Sequence, residues 1–252
     1  MPRNIAAVIA YDGTDFSGFQ TQKNGRSIQA EIESALATIH KHSVKISAAG
    51  RTDAGVHAVG QVINFVSDIS SLPSERFARA LNAALPEEIR VVRSIEVPMS
   101  FHARRDARER EYRYYLLLPH AGVPFYLRYS LRLTTIPDIA LLNRLASAVT
   151  GVHDFETFTA KGDPSLSRVR AIFSASFFMQ GPFLVFTIRG NAFLWKMVRS
   201  VLGTILELER EKASVSALEK LLASRKRENA GTTLPPKGLF LHEVSYGTEF
   251  RI

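Results

Sequence analysis

A single carboxylate stands in a loop made mostly of small residues. The loop occupies residues 48–58 (AAGRTDAGVHA), and its only ionisable side chains are Arg51, Asp53 and His57. An ionised, oriented carboxylate serves as a nucleophile or as a general base, and a nearby arginine favours the ionised form. An aspartate can equally bend a turn by bonding its own backbone, so both interpretations of Asp53 stay open at this point.

Two other groups could work with such a carboxylate. Arg199 lies in an apolar segment with helical periodicity, where a cation beside a core needs a partner, although an ordinary boundary residue would look the same. Tyr112 and Tyr114 share one face of a strand-like segment, and Tyr115 takes the other face. Tyrosine rings stack on unpaired bases in RNA sites, and they also pack between strands in a core.

The charge balance favours a polyanionic partner. The 252 residues include 32 Lys and Arg against 24 Asp and Glu, a formal net charge of +8, and counterion release drives much of nucleic-acid binding. The arginines cluster at residues 103–113, 168–170 and 225–227. A solvated basic surface is the alternative, but the neighbouring aromatic residues favour RNA.

Several function classes are excluded or lack support. The chain contains no cysteine, which excludes disulfides and thiolate chemistry. It contains no P-loop, G-x-G-x-x-G or G-x-S-x-G motif, and His57 and His102 lie among arginines, a poor setting for a metal ion. No signal-peptide pattern and no membrane-length apolar run is present. We therefore expect a cytoplasmic protein that holds no metal and does not enter a membrane.

The predicted elements position the Asp53 loop between two strands. The first half reads β-α-β-β-α-β, which is the split βαβ or ferredoxin-like arrangement. The second half reads β-α-β-β-α-(α)-β, with a helix from about Phe193 to Glu207 and a last strand over Phe240–Tyr246. The second half joins its middle strands by a short turn, whereas the first half inserts the loop that holds Asp53. An elaborated loop on a repeated scaffold favours a functional site there.

Blocks spread in order along the chain resemble the TruA-type tRNA pseudouridine synthases. The most specific block is residues 50–58 (GRTDAGVHA), followed by residues 60–62 (GQV). The other matching blocks are residues 11–20 (YDGTDFSGFQ), 101–104 (FHAR), 112–114 (YRY), 191–193 (NAF), 197–199 (MVR) and 238–241 (GLFL).

The resemblance implies an isomerase that converts uridine to pseudouridine at positions 38, 39 and 40 of the tRNA anticodon stem-loop. It makes Asp53 the catalytic nucleophile and places Tyr112 in a stack on the target base. It pairs Arg199 with Asp53, and it gives Arg51 the task of holding the target uridine out of the helix. We also expect His57, Arg104 and Arg170 to bind the substrate, so seven residues form the predicted site.

The resemblance also implies an architecture and a set of partners. It implies an α+β fold with two ferredoxin-like halves, residues 1–105 and 106–252, whose antiparallel sheets join around a central basic cleft. It implies a homodimer that binds tRNA and needs no cofactor.

Three departures from the family pattern leave the choice of uridines open. Phe19 stands where many relatives have Trp, Trp195-Lys196 replaces a polar or His pair, and Glu111 precedes Tyr112 where a basic residue is frequent. Two rival functions remain at this stage. A non-catalytic RNA-binding protein or chaperone would explain charge and fold but not the Asp53 loop, and a metal-dependent nuclease would need more than one clustered carboxylate.

Overall fold

The computed structural model describes residues 1–248. The chain forms two compact units, the first built from Met1–Arg108 with Phe240–Ile252 and the second from Glu109–Leu239. Both units combine helices with a sheet, so the predicted α+β class is confirmed. Within residues 1–248, every helix is too short or too polar to cross a bilayer.

The first unit contains a sheet with two helices inserted between its strands. Its elements before the chain leaves it are β1 (Arg3–Tyr11), α1 (Ile28–His40), β2 (Ile46–Ala48), β3 (His57–Ser67), α2 (Arg76–Asn82) and β4 (Ile89–Val97). The central strand β1 pairs antiparallel with β4 on one side and β3 on the other, and β2 pairs antiparallel with β3. The strand order is therefore β4-β1-β3-β2, and the Asp53 loop joins β2 to β3.

The local sequence explains these elements. Ser27 accepts a hydrogen bond from the Ala30 N–H at 3.3 Å and so caps α1. The buried face of α1 carries Ile32 and Leu36 at helical spacing. The ring of Phe77 on α2 packs edge to face on that of Phe65 on β3, with centroids 5.6 Å apart.

The second unit is built around a long hairpin. Its elements are β5 (Glu109–Leu117), β6 (Leu131–Arg132), α3 (Ile139–Ser147), β7 (Gly151–Asp154), β8 (Val169–Gln180), β9 (Phe183–Gly190), α4 (Met197–Arg210) and α5 (Val215–Ser224). The strand order is β5-β9-β8-β7, all antiparallel, and β6 pairs in parallel with β5. The predicted hairpin is confirmed, whereas the short strands β6 and β7 were not predicted.

Two predictions about the second half need correction. The helix predicted from Phe193 begins at Met197, because the backbone just before it is bound by other loops instead of by its own helix. The last strand, β10 (Leu239–Ser245), was assigned to the second half. Its residues Phe240 and Leu241 pair in parallel with β3, so from Phe240 onward the chain belongs to the first unit. The unit boundary falls after Arg108, three residues beyond the predicted one at 105.

Candidate active site

The Asp53 loop is fixed to the rest of the first unit by its neighbour Thr52. The Thr52 carbonyl accepts a hydrogen bond from the Phe19 N–H at 3.0 Å. Its side chain shares a buried 2.8 Å hydrogen bond with the Tyr11 hydroxyl. The Val56 N–H closes the turn on the Asp53 carbonyl at 3.1 Å. Asp53 itself is half-buried, so its carboxylate extends from a backbone that is held on both sides.

Two glycines allow the segment 11–20 to contact this loop closely. A Cβ atom on Gly13 would lie 2.0 Å from the carbonyl oxygen of Val56. Gly18 has a φ of +106°, and a Cβ there would lie 3.0 Å from the Thr52 carbonyl oxygen. Since no other residue fits these positions without displacing backbone, the two most N-terminal matching blocks of the sequence interlock.

The side chain of His57 links the Asp53 loop to the turn at Gly13 and to Phe240. Its side chain is buried, and its Nδ1 accepts a hydrogen bond from the Gly13 N–H at 3.1 Å. Its ring stacks on Phe240 with centroids 4.6 Å apart. The expectation placed His57 at the substrate, whereas the structure places its side chain inside the unit, where it holds the turn at Gly13.

Arg51 and Arg104 lie beside the same cleft of the first unit. The cleft has a volume of about 210 Å³, and its walls include Phe19, Gln20 and His102 as well as the two arginines. Both arginines are exposed. An open cleft with two cations and planar side chains matches the chemistry of a nucleotide.

The backbone next to Arg104 is held in place by the buried side chains of Asn64 and Tyr246. The Asn64 side chain accepts a hydrogen bond from the Ala103 N–H at 2.9 Å, and the Tyr246 hydroxyl donates to the Ala103 carbonyl at 2.7 Å. The Arg104 N–H donates to Nδ1 of His102 at 3.1 Å. The block 101–104 therefore presents Arg104 from a fixed position.

In the second unit, Tyr112 lies on β5 and packs against the segment before α4. Its ring meets that of Phe193 edge to face, with centroids 5.1 Å apart, and the side chain is 8% exposed. Tyr114, on the same face of the strand, is fully buried, and its hydroxyl donates to the Pro235 carbonyl at 2.8 Å. Burial raises the pKa of Tyr114, and the charge of Arg199 opposes that rise. Tyr114 is thus a core residue, and Tyr112 is the tyrosine of this pair at the margin of the core.

Arg199 lies in the first turn of α4 and is oriented by a loop carbonyl. Its Nε donates to the Leu234 carbonyl oxygen at 2.6 Å, and the Leu234 N–H donates to the Arg199 carbonyl oxygen at 3.3 Å. The guanidinium is largely buried. Segment 231–235 therefore fixes the direction in which Arg199 extends.

That segment is itself attached along one face of α4. The Gly231 N–H donates to the Thr204 hydroxyl at 2.9 Å, and the Thr232 N–H donates to the Glu207 carboxylate at 2.9 Å. A Cβ on Gly203 would lie 1.8 Å from the Thr232 carbonyl oxygen. A glycine at 203 is therefore needed for the loop to reach Arg199.

Part of the Arg170 guanidinium is bound to carbonyl oxygens of neighbouring residues in the same segment. Its Nη1 donates to the carbonyl oxygens of Ser167 at 2.9 Å and Val169 at 2.7 Å. Its Nε is buried and has no hydrogen-bond partner among residues 1–248. Burial is the main cause that lowers the pKa of Arg170.

The structure distributes the seven predicted site residues between the units. Asp53, Arg51, His57 and Arg104 belong to the first unit, and Tyr112, Arg199 and Arg170 belong to the second. The sequence interpretation gave no role to the supporting residues Thr52, Asn64, Gly203 and Leu234, because each acts through a partner that lies far away along the chain. Across the described residues, no three His, Asp or Glu side chains lie together as a metal site would require.

Comparison with known proteins identifies the family of this chain. A family model described as tRNA pseudouridine synthase matches residues 7–106 and 145–247. The chain is 45% identical over 249 residues to tRNA pseudouridine synthase A of Treponema denticola, with 97% of this chain and 93% of that protein covered. It is 41% identical to the enzyme of the same name from an Exiguobacterium species, over 97% and 98% of the two chains. It is 42% identical to tRNA pseudouridine synthase A of Halalkalibacterium halodurans, with 94% of this chain and 90% of that protein covered. The chain belongs to the tRNA pseudouridine synthase family.

Proposed function

We propose that this isomerase converts uridine to pseudouridine at positions 38, 39 and 40 of the tRNA anticodon stem-loop, with Asp53 as the nucleophile. Family membership supports pseudouridine formation in tRNA. The observation that carries the assignment of Asp53 is its loop. Thr52 and Val56 fix the backbone on either side of a half-buried carboxylate, and Arg51 of the same loop lines a cleft together with Arg104.

The reaction needs the target base out of the helical stack, because only then is its glycosidic bond accessible. The Asp53 carboxylate either attacks C1′ as the C1′–N1 bond breaks, or assists a route through a glycal. The freed uracil rotates, and its C5 bonds to C1′ as the C1′ bond to Asp53 breaks or, on the glycal route, as the proton taken from C2′ returns there. The proton on C5 must then leave, and the hydroxyl of Tyr112 is a candidate acceptor through its deprotonated form or a bridging water.

The other site residues have proposed roles that follow from their placement. Arg199, directed by the Leu234 carbonyl, pairs with Asp53 and keeps it ionised and oriented. The ring of Tyr112 stacks on the target base, and Arg51 holds the base out of the helix. Arg104 and Arg170 contact the RNA backbone, while His57 acts indirectly, through the turn at Gly13.

We also propose that each unit represents one ferredoxin-like half and that the protein works as a homodimer. The order β4-β1-β3-β2 of the first unit supports this, since it is the order of a split βαβ sheet. The antiparallel run β5-β9-β8 of the second unit is compatible with the same arrangement. Sedimentation of the purified protein measures the oligomeric state.

The decisive experiment compares the protein with its Asp53→Asn variant on unmodified tRNA, without added metal or cofactor. We expect pseudouridine at the three positions with the unchanged protein. We expect none with Asp53→Asn, although tRNA affinity stays within about twofold, because the amide keeps the shape of the carboxylate but is a poor nucleophile. Pseudouridine mapping and a binding assay are the measurements.

Asp68→Asn is the matched control. This exposed carboxylate pairs with His42 at 3.0 Å and lies outside the loop, so its loss leaves turnover unchanged. Normal turnover by Asp53→Asn would overturn the assignment of the nucleophile. Tight binding of tRNA by the unchanged protein without any modification would favour an RNA-binding protein or chaperone instead.

A further inference from the structure

The only tryptophan of the chain is displayed at the surface next to the proposed base-stacking tyrosine. Trp195 is 43% exposed, while Leu194 before it and Met197 after it are buried. Tryptophan is highly buried on average, and its amphipathic ring is enriched at interfaces.

The backbone beneath this ring is fixed from both sides. The Trp195 N–H donates to the Asp163 carboxylate at 2.6 Å, and the Trp195 carbonyl accepts from the Ala160 N–H at 3.0 Å. Because the N–H and the carbonyl of Trp195 are both hydrogen-bonded, its backbone is fixed while the ring stays exposed, which lowers the entropy cost of binding.

Asp163 is in turn held by other donors. Its carboxylate accepts from the Ser165 N–H at 2.7 Å and from Nη1 of Arg168 at 2.7 Å. Its side chain is only 3% exposed. A buried carboxylate with these partners is a rigid support, so the loop around Trp195 is built in advance of any binding.

Lys196 places a positive charge over the ring. Its Nζ lies 4.8 Å from the centroid of the Trp195 ring. The residue adopts a φ of 61°, a left-handed conformation that side chains other than Asn and Asp rarely adopt. The strained backbone turns the chain into α4 and leaves the cation beside the indole.

Phe193 connects this surface to Tyr112. It lies two residues before Trp195, and two residues span at most about 7 Å. The ring of Phe193 packs on that of Tyr112. The exposed indole therefore lies within reach of a nucleotide that neighbours the one stacked on Tyr112.

We propose that Trp195 and Lys196 form a stacking platform for an unpaired base of the anticodon loop that neighbours the target uridine. The indole stacks on the base, and the Lys196 ammonium attracts the adjoining phosphate. An RNA ligand is favoured over a protein because a cation lies beside the ring and the chain carries a net charge of +8. This inference rests on the proposed function, which supplies the RNA.

The single tryptophan makes a direct test possible, because all indole fluorescence comes from Trp195. Unmodified tRNA is titrated into the full-length Asp53→Asn protein, in which no product forms. We expect saturable quenching of the tryptophan emission that follows the binding curve. A series of anticodon stem-loops, each with one abasic loop position, then identifies the stacked base as the one whose removal abolishes quenching.

Variants measure how much the platform contributes. Trp195→Ala raises the Kd for tRNA about tenfold, as expected for the loss of one base stack, and Trp195→Phe recovers most of that loss. Phe125→Ala is the matched control, since Phe125 is 83% exposed in another loop of the same unit, and its Kd stays within twofold. Far-UV spectra of the three variants check the fold.

Each outcome separates this inference from the proposed function. If tRNA binds and is modified but the tryptophan emission stays constant, or if Trp195→Ala binds as tightly as Phe125→Ala, the platform is overturned and the isomerase assignment stands. If quenching and the tenfold loss occur although the unchanged protein makes no pseudouridine, the platform stands and the proposed reaction fails.

Discussion

At the scale of single residues, Arg199 shows how one contact can decide what a side chain does. The Leu234 carbonyl accepts a hydrogen bond from its Nε at 2.6 Å, which fixes the plane of the guanidinium. Arginine donates along a fixed plane, whereas lysine is a mobile point charge. The direction of the planar group, not only its charge, therefore matters here.

We predict that Arg199→Lys lowers the turnover of tRNA about 100-fold, because a positioning error of about 1 Å costs that much. The Kd for tRNA should change less than threefold. Arg210→Lys, at the exposed far end of the same helix, is the control and should leave both constants unchanged. Equal losses of turnover and affinity in Arg199→Lys would indicate that Arg199 contacts a phosphate instead.

Glu111, a departure from the family pattern, has a structural role on the face of β5 away from Tyr112. Its carboxylate accepts from Nε of Arg113 and from Nε of Arg189, both at 2.7 Å. Burial raises the pKa of Glu111, but the hydrogen bonds from the two arginines outweigh it, so the pKa lies below its usual value. The carboxylate thus favours the folded state at neutral pH, and that contribution is lost as the pH falls through the lowered pKa.

Glu111→Gln should therefore reduce the free energy of unfolding by about 2 kcal/mol at pH 7. The difference from the unchanged protein should begin to shrink below about pH 4, the usual pKa of a glutamate in an unfolded chain, and should be lost as the pH falls through the lowered pKa of the folded state. Urea unfolding at several pH values measures it. Glu109→Gln removes a longer contact to Arg189 at 3.3 Å and should have a smaller effect. A pH-independent difference would refute the ionic origin of the stabilisation.

At this scale the sequence indicated candidate groups for the site, but it did not predict which residues surround them. Asp53 was distinguishable as a lone carboxylate among small residues, and the resemblance supplied Tyr112 and Arg199. The burial of His57 was not predictable, since it depends on Gly13 and Phe240, which are far away in sequence.

At the scale of elements, α4 and segment 231–235 act as one support for Arg199. The helix displays Gly203, Thr204 and Glu207 along one face, and the segment lies against all three. The distance from the Gly203 position to the Thr232 carbonyl leaves no room for a methyl group.

Gly203→Ala should therefore lower both stability and turnover. An alanine normally stabilises a helix relative to glycine, so a net loss of about 1–3 kcal/mol would reflect the overlap with Thr232. Displacement of Leu234 should also reduce turnover at least tenfold. Gly122→Ala, with no atom within 4 Å of the added methyl group, is the control. Thermal unfolding and tRNA turnover are the measurements, and an unchanged Gly203→Ala protein would contradict the supporting role of the segment.

Periodicity was sufficient to predict most elements but not their ends or partners. The alternating and helical patterns predicted the order β-α-β-β-α-β of the first half and the β8–β9 hairpin of the second. The start of α4 was wrong because Asp163 binds the backbone of Trp195, a contact that no local pattern reveals. The pairing of β10 with β3 was likewise not predictable from the sequence, because several strand edges offer equivalent unpaired backbone groups.

At the scale of the whole molecule, the excess of positive charge should make tRNA binding strongly dependent on salt. Arg104→Gln removes a cation that we place at the RNA, so the slope of log Kd against log salt should fall by about 1. Arg76→Gln lowers the net charge equally from an exposed position on α2 and should leave the slope unchanged. Equal slopes for both variants would show that Arg104 acts only through the overall charge.

The return of the chain to the first unit also has a consequence for how the protein is made. A ribosome synthesises residues 1–108, then the whole of the second unit, and only then Phe240 and the rest of β10. Until that moment, His57 lacks the ring on which it stacks, and the β3 edge lacks its parallel partner. Of the two units, the one that carries Asp53 therefore begins first along the chain and is completed last, so co-translational folding cannot complete the surroundings of the Asp53 loop before β10 has left the ribosome.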